Sequence, residues 1–156
     1  MFLSLFHCPS LLVRLAPLLL LLISGASAAE KSFSQFRFTP TRLRDSSASN
    51  SVQVSEFRLR LRGSTLDMTQ ATVTNPGGSS PGGEGPPNLV DGNTGSKWLD
   101  LNKGSAVLSF PAMVTVDAYG FTTANDAQER DPANWRLEGS NDGISWVLLD
   151  EVVNGN

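Results

Sequence analysis

Cysteine and histidine are almost missing from this chain, with one of each in 156 residues. Both, His7 and Cys8, precede an apolar run, Leu15 to Ile23 (LAPLLLLLI), which follows Arg14 and leads to Ala26-Ser27-Ala28. A basic residue, a short apolar run and small residues at a cleavage point read as a secretory signal peptide over residues 1–28. The run is too short to span a bilayer comfortably, and a retained signal anchor is the runner-up reading. Cleavage would leave a chain with neither thiol nor imidazole. That excludes a disulfide, a Ser-His-Asp triad, a Cys-His dyad and the usual zinc site within residues 29–156. Basic charge is scarce too. Arg14 is the only charge in residues 1–28, so the remainder carries 11 basic against 15 acidic residues, a net of −4. Such a chain is a poor nucleic-acid binder. There is no Asn-x-Ser/Thr sequon, so N-glycosylation is not expected. No amphipathic helical stretch follows residue 28.

What is present is strand pattern. Residues 29–35 are a polar lead-in. Phe36 to Arg44 (FRFTPTRLR) alternates apolar and basic residues but contains Pro40, and reads as an edge strand with an irregular end. Val52 to Arg62 (VQVSEFRLRLR) alternates over its whole length with a phase slip at Ser55-Glu56, the mark of a bulge or bend. Its row Arg58, Arg60, Arg62 reads as a solvated outer face, or as a patch for acidic glycans. Asn75 to Pro87 (NPGGSSPGGEGPP) can be neither helix nor central strand. Ala106–Phe110, Val114–Thr122, Trp135–Glu138 and Ser145–Leu149 read as strands, the last two joined by an Asp-Gly hairpin. Short strands at this spacing mean an all-β fold, a sandwich or barrel. Trp98, Trp135 and Trp146 sit on or beside strands and are expected in the core.

Asn88 to Asp100 (NLVDGNTGSKWLD) concentrates oxygen groups, with Asp91, Asn93, Thr94 and Ser96 inside six positions. Gly92 and Gly95 let such a loop curl its carbonyls inward. A hard cation such as calcium takes six to eight oxygens, several from backbone. The competing reading is a plain surface turn. An EF-hand does not fit: counted from Asp91, positions five, six and twelve hold Gly95, Ser96 and Asn102.

DGNTGSKW (Asp91–Trp98) and WRLEGSNDGISW (Trp135–Trp146), in that order, resemble the discoidin or coagulation-factor type C domains of the galactose-binding-like group. The resemblance covers most of Phe36 to Asn156. It implies a jelly-roll β-sandwich, one domain over residues 36–156 after the signal peptide. By the same resemblance, the family's two closing strands stand first here, in residues 36–62. That implies a circularly permuted domain, or a fragment of a tandem array. By position, the resemblance implies a structural calcium ion held by Asp91, Asn93, Ser96 and Asn88, with Ser55 and the distant carboxylate Glu56 from the closing strand. It implies a sugar site at Arg130 and Asn134, joined by Asn125 or Asp126. Guanidinium and amide groups suit vicinal hydroxyls because they offer fixed paired donors.

The expected function is a secreted, non-catalytic module that binds carbohydrate or an extracellular glycoprotein, as in cell adhesion, and is a monomer or part of a repeat array. Two alternatives stand beside it. One is a glycoside hydrolase using loop carboxylates such as Asp126 and Asp131. The other is a fragment of a larger multi-domain adhesive protein or enzyme.

Overall fold

The computed structural model describes residues 29–154. The signal-peptide reading of residues 1–28 lies outside the described residues. No helix among those residues is long and apolar enough to cross a membrane.

All regular structure here is strand, apart from three short 3-10 turns. One antiparallel sheet has the order β10 (Val147–Val152), β9 (Pro132–Ser140), β1 (Lys31–Leu43), β7 (Ala106–Val116), β5 (Thr72–Thr74). A second has the order β4 (Ser64–Thr65), β3 (Glu56–Leu61), β8 (Ala118–Thr122). β2 (Val52–Val54) and β6 (Trp98–Asp100) form a third, two-stranded piece. This is an all-β domain of antiparallel sheets, consistent with a jelly-roll or β-sandwich arrangement.

Alternation along β1 drives the packing. Phe36 and Phe38 point inward and are fully buried. Phe38 meets Phe57 of β3 at 5.2 Å and Phe121 of β8 at 5.3 Å between ring centroids. Leu108 of β7, Leu137 of β9 and Leu59 of β3 complete the same cluster. Burying each such side chain contributes about 1.5–3 kcal/mol. With no disulfide among residues 29–154, this cluster is the main cohesion.

Three strand expectations are corrected. β1 is not an edge strand; it lies between β9 and β7. Pro40 is tolerated because β1 pairs with β7 only as far as Phe38, and beyond that with β9 alone. The missing N–H of Pro40 therefore costs no bond on the β7 side. The stretch from Val52 to Arg62 is two strands in two different sheets, broken at Ser55. There the Ser55 amide donates to the Thr122 carbonyl at 2.9 Å, which hands the chain from β2 to β3. β7 is longer than read, running through Pro111 to Val116 before β8 starts at Ala118. Its proline fits because the register slips there: β1 advances from Phe33 to Gln35 while β7 retreats from Val114 to Ser109. Pro111, Ala112 and Met113 loop out to solvent.

The glycine- and proline-rich stretch before residue 88 is held in place. The Asp100 carboxylate, fully buried, accepts the amides of Ser79 at 2.7 Å and Gly104 at 2.6 Å. The Leu99 amide donates to Glu84 O, and that of Leu101 to Ser79 O, both at 2.9 Å. The β9–β10 hairpin is anchored likewise. Asp142 accepts the amides of Ile144 at 2.8 Å and Ser145 at 2.7 Å, which hold its pKa down to about 2. Gly143 supplies the positive φ of 71° that the turn requires.

Candidate functional site

The 3-10 turn Pro86–Val90 buries Leu89 and Val90 and delivers Asp91 to the surface. Gly92, at φ 75°, lets the chain reverse. The loop then closes on its own aspartate: Asp91 accepts the Asn93 amide at 2.8 Å and the Ser96 hydroxyl at 2.6 Å. Trp98, fully buried, fixes the far end of the loop on the core.

Glu56 arrives from the start of β3. Only 3% of it is exposed, and its Oε1 meets no N–H or O–H donor. Arg58 stands 3.9 Å from Oε2, too far for a hydrogen bond. Burial raises the pKa of Glu56, and the neighbouring Asp91 raises it further. Burial pushes Asp91 upward too, but hydrogen bonds from Ser96, the Asn93 amide and Glu56 outweigh it and hold the carboxyl below its usual value. The pKa values of the two neighbouring carboxyls are thus pushed apart, Glu56 upward and Asp91 downward. Ser55 donates its hydroxyl to the Thr94 carbonyl at 3.0 Å, tying this strand end to the loop.

The structure thus brings Glu56, Ser55, Asp91, Asn93 and Ser96 together. Asn88 serves differently: its amide nitrogen donates to the carbonyls of Gly83 at 2.7 Å and Lys97 at 2.8 Å, bracing the loop. No group of three or more His, Cys, Asp or Glu side chains is poised around one metal position among the described residues. Glu56 and Asp91 supply two carboxylates, and the buried orphan Oε1 fits a hard cation. Any further ligands would be neutral oxygens.

Of the four residues expected to bind sugar, Asn125, Asp126 and Arg130 lie in the loop before β9, where the Arg130 charge acts on Asp126, and Asn134 follows on β9. Arg130 lies 3.7 Å from Glu129, and its Nε is buried without a hydrogen-bond partner. Asp126 is held by Lys97, whose ammonium is 2.7 Å from both carboxylate oxygens. Asn134 lies on β9 and accepts the Asn154 amide at 3.0 Å. Asn125 is exposed. Neither described cavity is lined by any of the four. As for the tryptophans, Trp98 is core and Trp135 packs edge-on against Phe121 at 5.0 Å. Trp146 differs: it lies on the outer face beneath the Arg37 guanidinium, 4.3 Å from the ring centre.

Two features escaped the sequence reading. Gln53 is fully buried and donates to the carbonyls of Asp126 and Ala127, and Asp131 is 2% exposed with Oδ1 unpartnered. Burial raises the pKa of Asp131, against the pull of Arg44 at 3.4 Å. Alternation with Val52 and Val54 places Gln53 outward, so no local signal marks it. The second feature is a cavity of about 450 Å3 at the side of the sandwich, beside β10. Its walls come from five strands, β1, β7, β8, β9 and β10.

No protein-family model matches the chain, and no solved structure matches it. The discoidin resemblance thus rests at the level of a general β-sandwich. One curated protein does show similarity. The chain resembles part of a plant amidase. It is 46% identical over 67 residues to the peptide-N(4)-(N-acetyl-beta-glucosaminyl)asparagine amidase of Arabidopsis thaliana, which covers 39% of this chain and 9% of that protein. The chain therefore spans less than a tenth of the relative it matches. This finding corrects the reading of a non-catalytic carbohydrate-binding or cell-adhesion module, since the similar protein is an enzyme. The lack of thiol and imidazole misled. It excludes certain nucleophiles only within residues 29–156 and says nothing of an enzyme to which this stretch contributes.

Proposed function

We propose that this chain is the β-sandwich portion of a larger amidase-type enzyme acting on N-glycosylated polypeptides. The observation that carries the reading is the 46% identity to the plant amidase. That enzyme's name describes hydrolysis of the amide joining asparagine to N-acetylglucosamine. Residues 29–156 contain no cysteine or histidine, so the sandwich would position substrate or brace the catalytic part, with the nucleophile supplied elsewhere. A secretory route, directed by residues 1–28, would meet glycoproteins as they are made. The insertion of β1 between β9 and β7 also suits a permuted discoidin-type sandwich. The test is to express the longest transcript of the gene and incubate its product with a denatured N-glycoprotein. Mass spectrometry should find free glycan and aspartate at the former glycosylation sites, with residues 29–156 alone inactive. If the longest product leaves every asparagine glycosylated, the amidase reading fails.

We also propose that the Asp91 loop holds a calcium ion. The buried, donorless Oε1 of Glu56 favours it. Glu56 and Asp91 would supply the charge, with oxygens of Ser55, Asn88, Asn93 and Ser96 filling the shell. The ion would lock β3 to the loop, a structural role.

A further inference from the structure

The sheet edges of this molecule are unequal. At one end of the five-stranded sheet, β5 is three residues long and its only apolar side chain, Val73, is buried. Short, polar edges of this kind resist adding another strand. At the other end, β10 (VLLDEV) has six residues and neither proline nor lysine. Val147 and Leu148 are each 53% exposed, and nearby Ile144 and Val153 are 85% and 69% exposed. Among the described residues nothing pairs with the outer side of β10.

The cavity opens beside this edge. Lys31, Val116, Asp117, Tyr119, Leu149 and Asp150 contribute to its wall. Leu149 and Asp150 are consecutive yet both line it, because β10 bulges there: it advances from Leu148 to Asp150 while β9 moves only from Glu138 to Leu137. Bulges re-aim side chains in this way. Tyr119 of β8 donates to Asp150 and accepts the Trp135 indole N–H at 2.7 Å, so a hydrogen-bonded chain fixes the cavity wall. Two carboxylates and one ammonium are among the lining groups: Asp117, which accepts the Arg62 amide, Asp150, and Lys31. The remaining wall is mostly apolar.

These features select a ligand class. A free strand edge asks for extended backbone with its own donors and acceptors. A cavity at every second residue's reach asks for one apolar side chain. The excess of carboxylates asks for a basic neighbour. We propose that β10 is a docking edge for an extended stretch of substrate polypeptide. One of its apolar residues enters the cavity, and an adjacent lysine or arginine meets Asp150 and Asp117. The peptide's source rests on the amidase reading; the docking geometry does not.

The probe is a short, dye-labelled, unglycosylated peptide with blocked ends that alternates lysine with valine and leucine. Titrated with the full chain and followed by fluorescence anisotropy, it should bind. The same peptide N-methylated on alternate backbone nitrogens, at either phase, should lose binding at one phase, because it can no longer donate to the edge. Replacing its lysines with glutamate should weaken binding. Val147→Lys and Leu148→Lys, both at solvent-facing positions, should weaken it by about tenfold or more without altering the melting temperature. Equal binding by both N-methylated peptides would overturn strand docking, as would no binding by the parent. A dimer in sedimentation that Val147→Lys makes monomeric would also overturn it, since a second copy would then cover the edge. Peptide binding that persists while the longest gene product releases no glycan would count against the amidase reading alone.

Discussion

At the Asp91 loop, hydrogen bonds are dense and few apolar groups face water. Asp91, Asn93, Ser96 and Asn88 each bind backbone or one another, and the buried atoms left without a partner are Glu56 Oε1 and the Trp98 indole nitrogen. Along β10 the balance is reversed. Valine and leucine face solvent, the outer backbone has no strand partner among the described residues, and a cavity opens beside it. The contrast separates two kinds of unfinished business. A buried polar atom without a partner is costly to the fold itself, which is the ground of the proposed ion. An exposed apolar edge costs the isolated fold little, so it points to a partner that arrives from outside.

Three experiments sharpen that comparison, and the largest effect is on the loop's anchor. Trp98→Ala should destabilise the domain by about 3–5 kcal/mol in denaturant unfolding, because it empties a fully buried aromatic site. Ile144→Ser, beside β10, should change stability by no more than about 0.5 kcal/mol. Equal losses at both sites would mean that the edge is part of the core and the contrast is false.

Calcium comes next. It should raise the melting temperature, by an amount equivalent to about 2.7 kcal/mol when free ion exceeds Kd a hundredfold. Glu56→Ala should abolish the rise, and Val147→Lys should leave it intact. Identical melting curves in excess calcium and in chelator would remove the ion from the loop.

The smallest effect is the pH dependence of the metal-free chain. Glu56 has a raised folded-state pKa, so folding favours its protonated form. Its contribution is fully present below the unfolded value, near the ordinary glutamate pKa, and is lost as pH rises through the raised one. Asp91, whose folded pKa is lowered, works in the opposite sense and loses its contribution as pH falls. Glu56→Gln should therefore flatten the decline in metal-free stability between mildly acidic and neutral pH. Asp131, also raised by burial, keeps a residual slope in that variant. A Glu56→Gln profile that matches the parent's would show that Glu56 is not raised by its burial.

Alternation along the chain was enough to read an all-β fold, and the phase slip at Ser55 marked an irregularity there but not the change of sheet. The Asp142-Gly143 turn was legible too, because a side chain that caps its own backbone and a residue at positive φ are both local devices. The closing of the DGNTGSKW loop on Asp91 is local in the same sense, since its bonds span five residues or fewer. Which strands become neighbours is not local. β1 carries a proline and reads as an edge, yet it is central because β7 ends its pairing at Phe38, a limit set by another part of the chain. From the strand pattern alone Glu56 reads as one more alternating residue, and only the family resemblance pairs it with the Asp91 loop. Only the handover from β2 to β3, made through Thr122, buries it beside Asp91. The cavity beside β10 needs β1, β7, β8, β9 and β10 at once, and no segment carries its imprint. The link to an enzyme was not legible in residue chemistry either. Side-chain types report what a stretch can do alone, whereas a catalytic role can reside in the larger protein that the stretch serves.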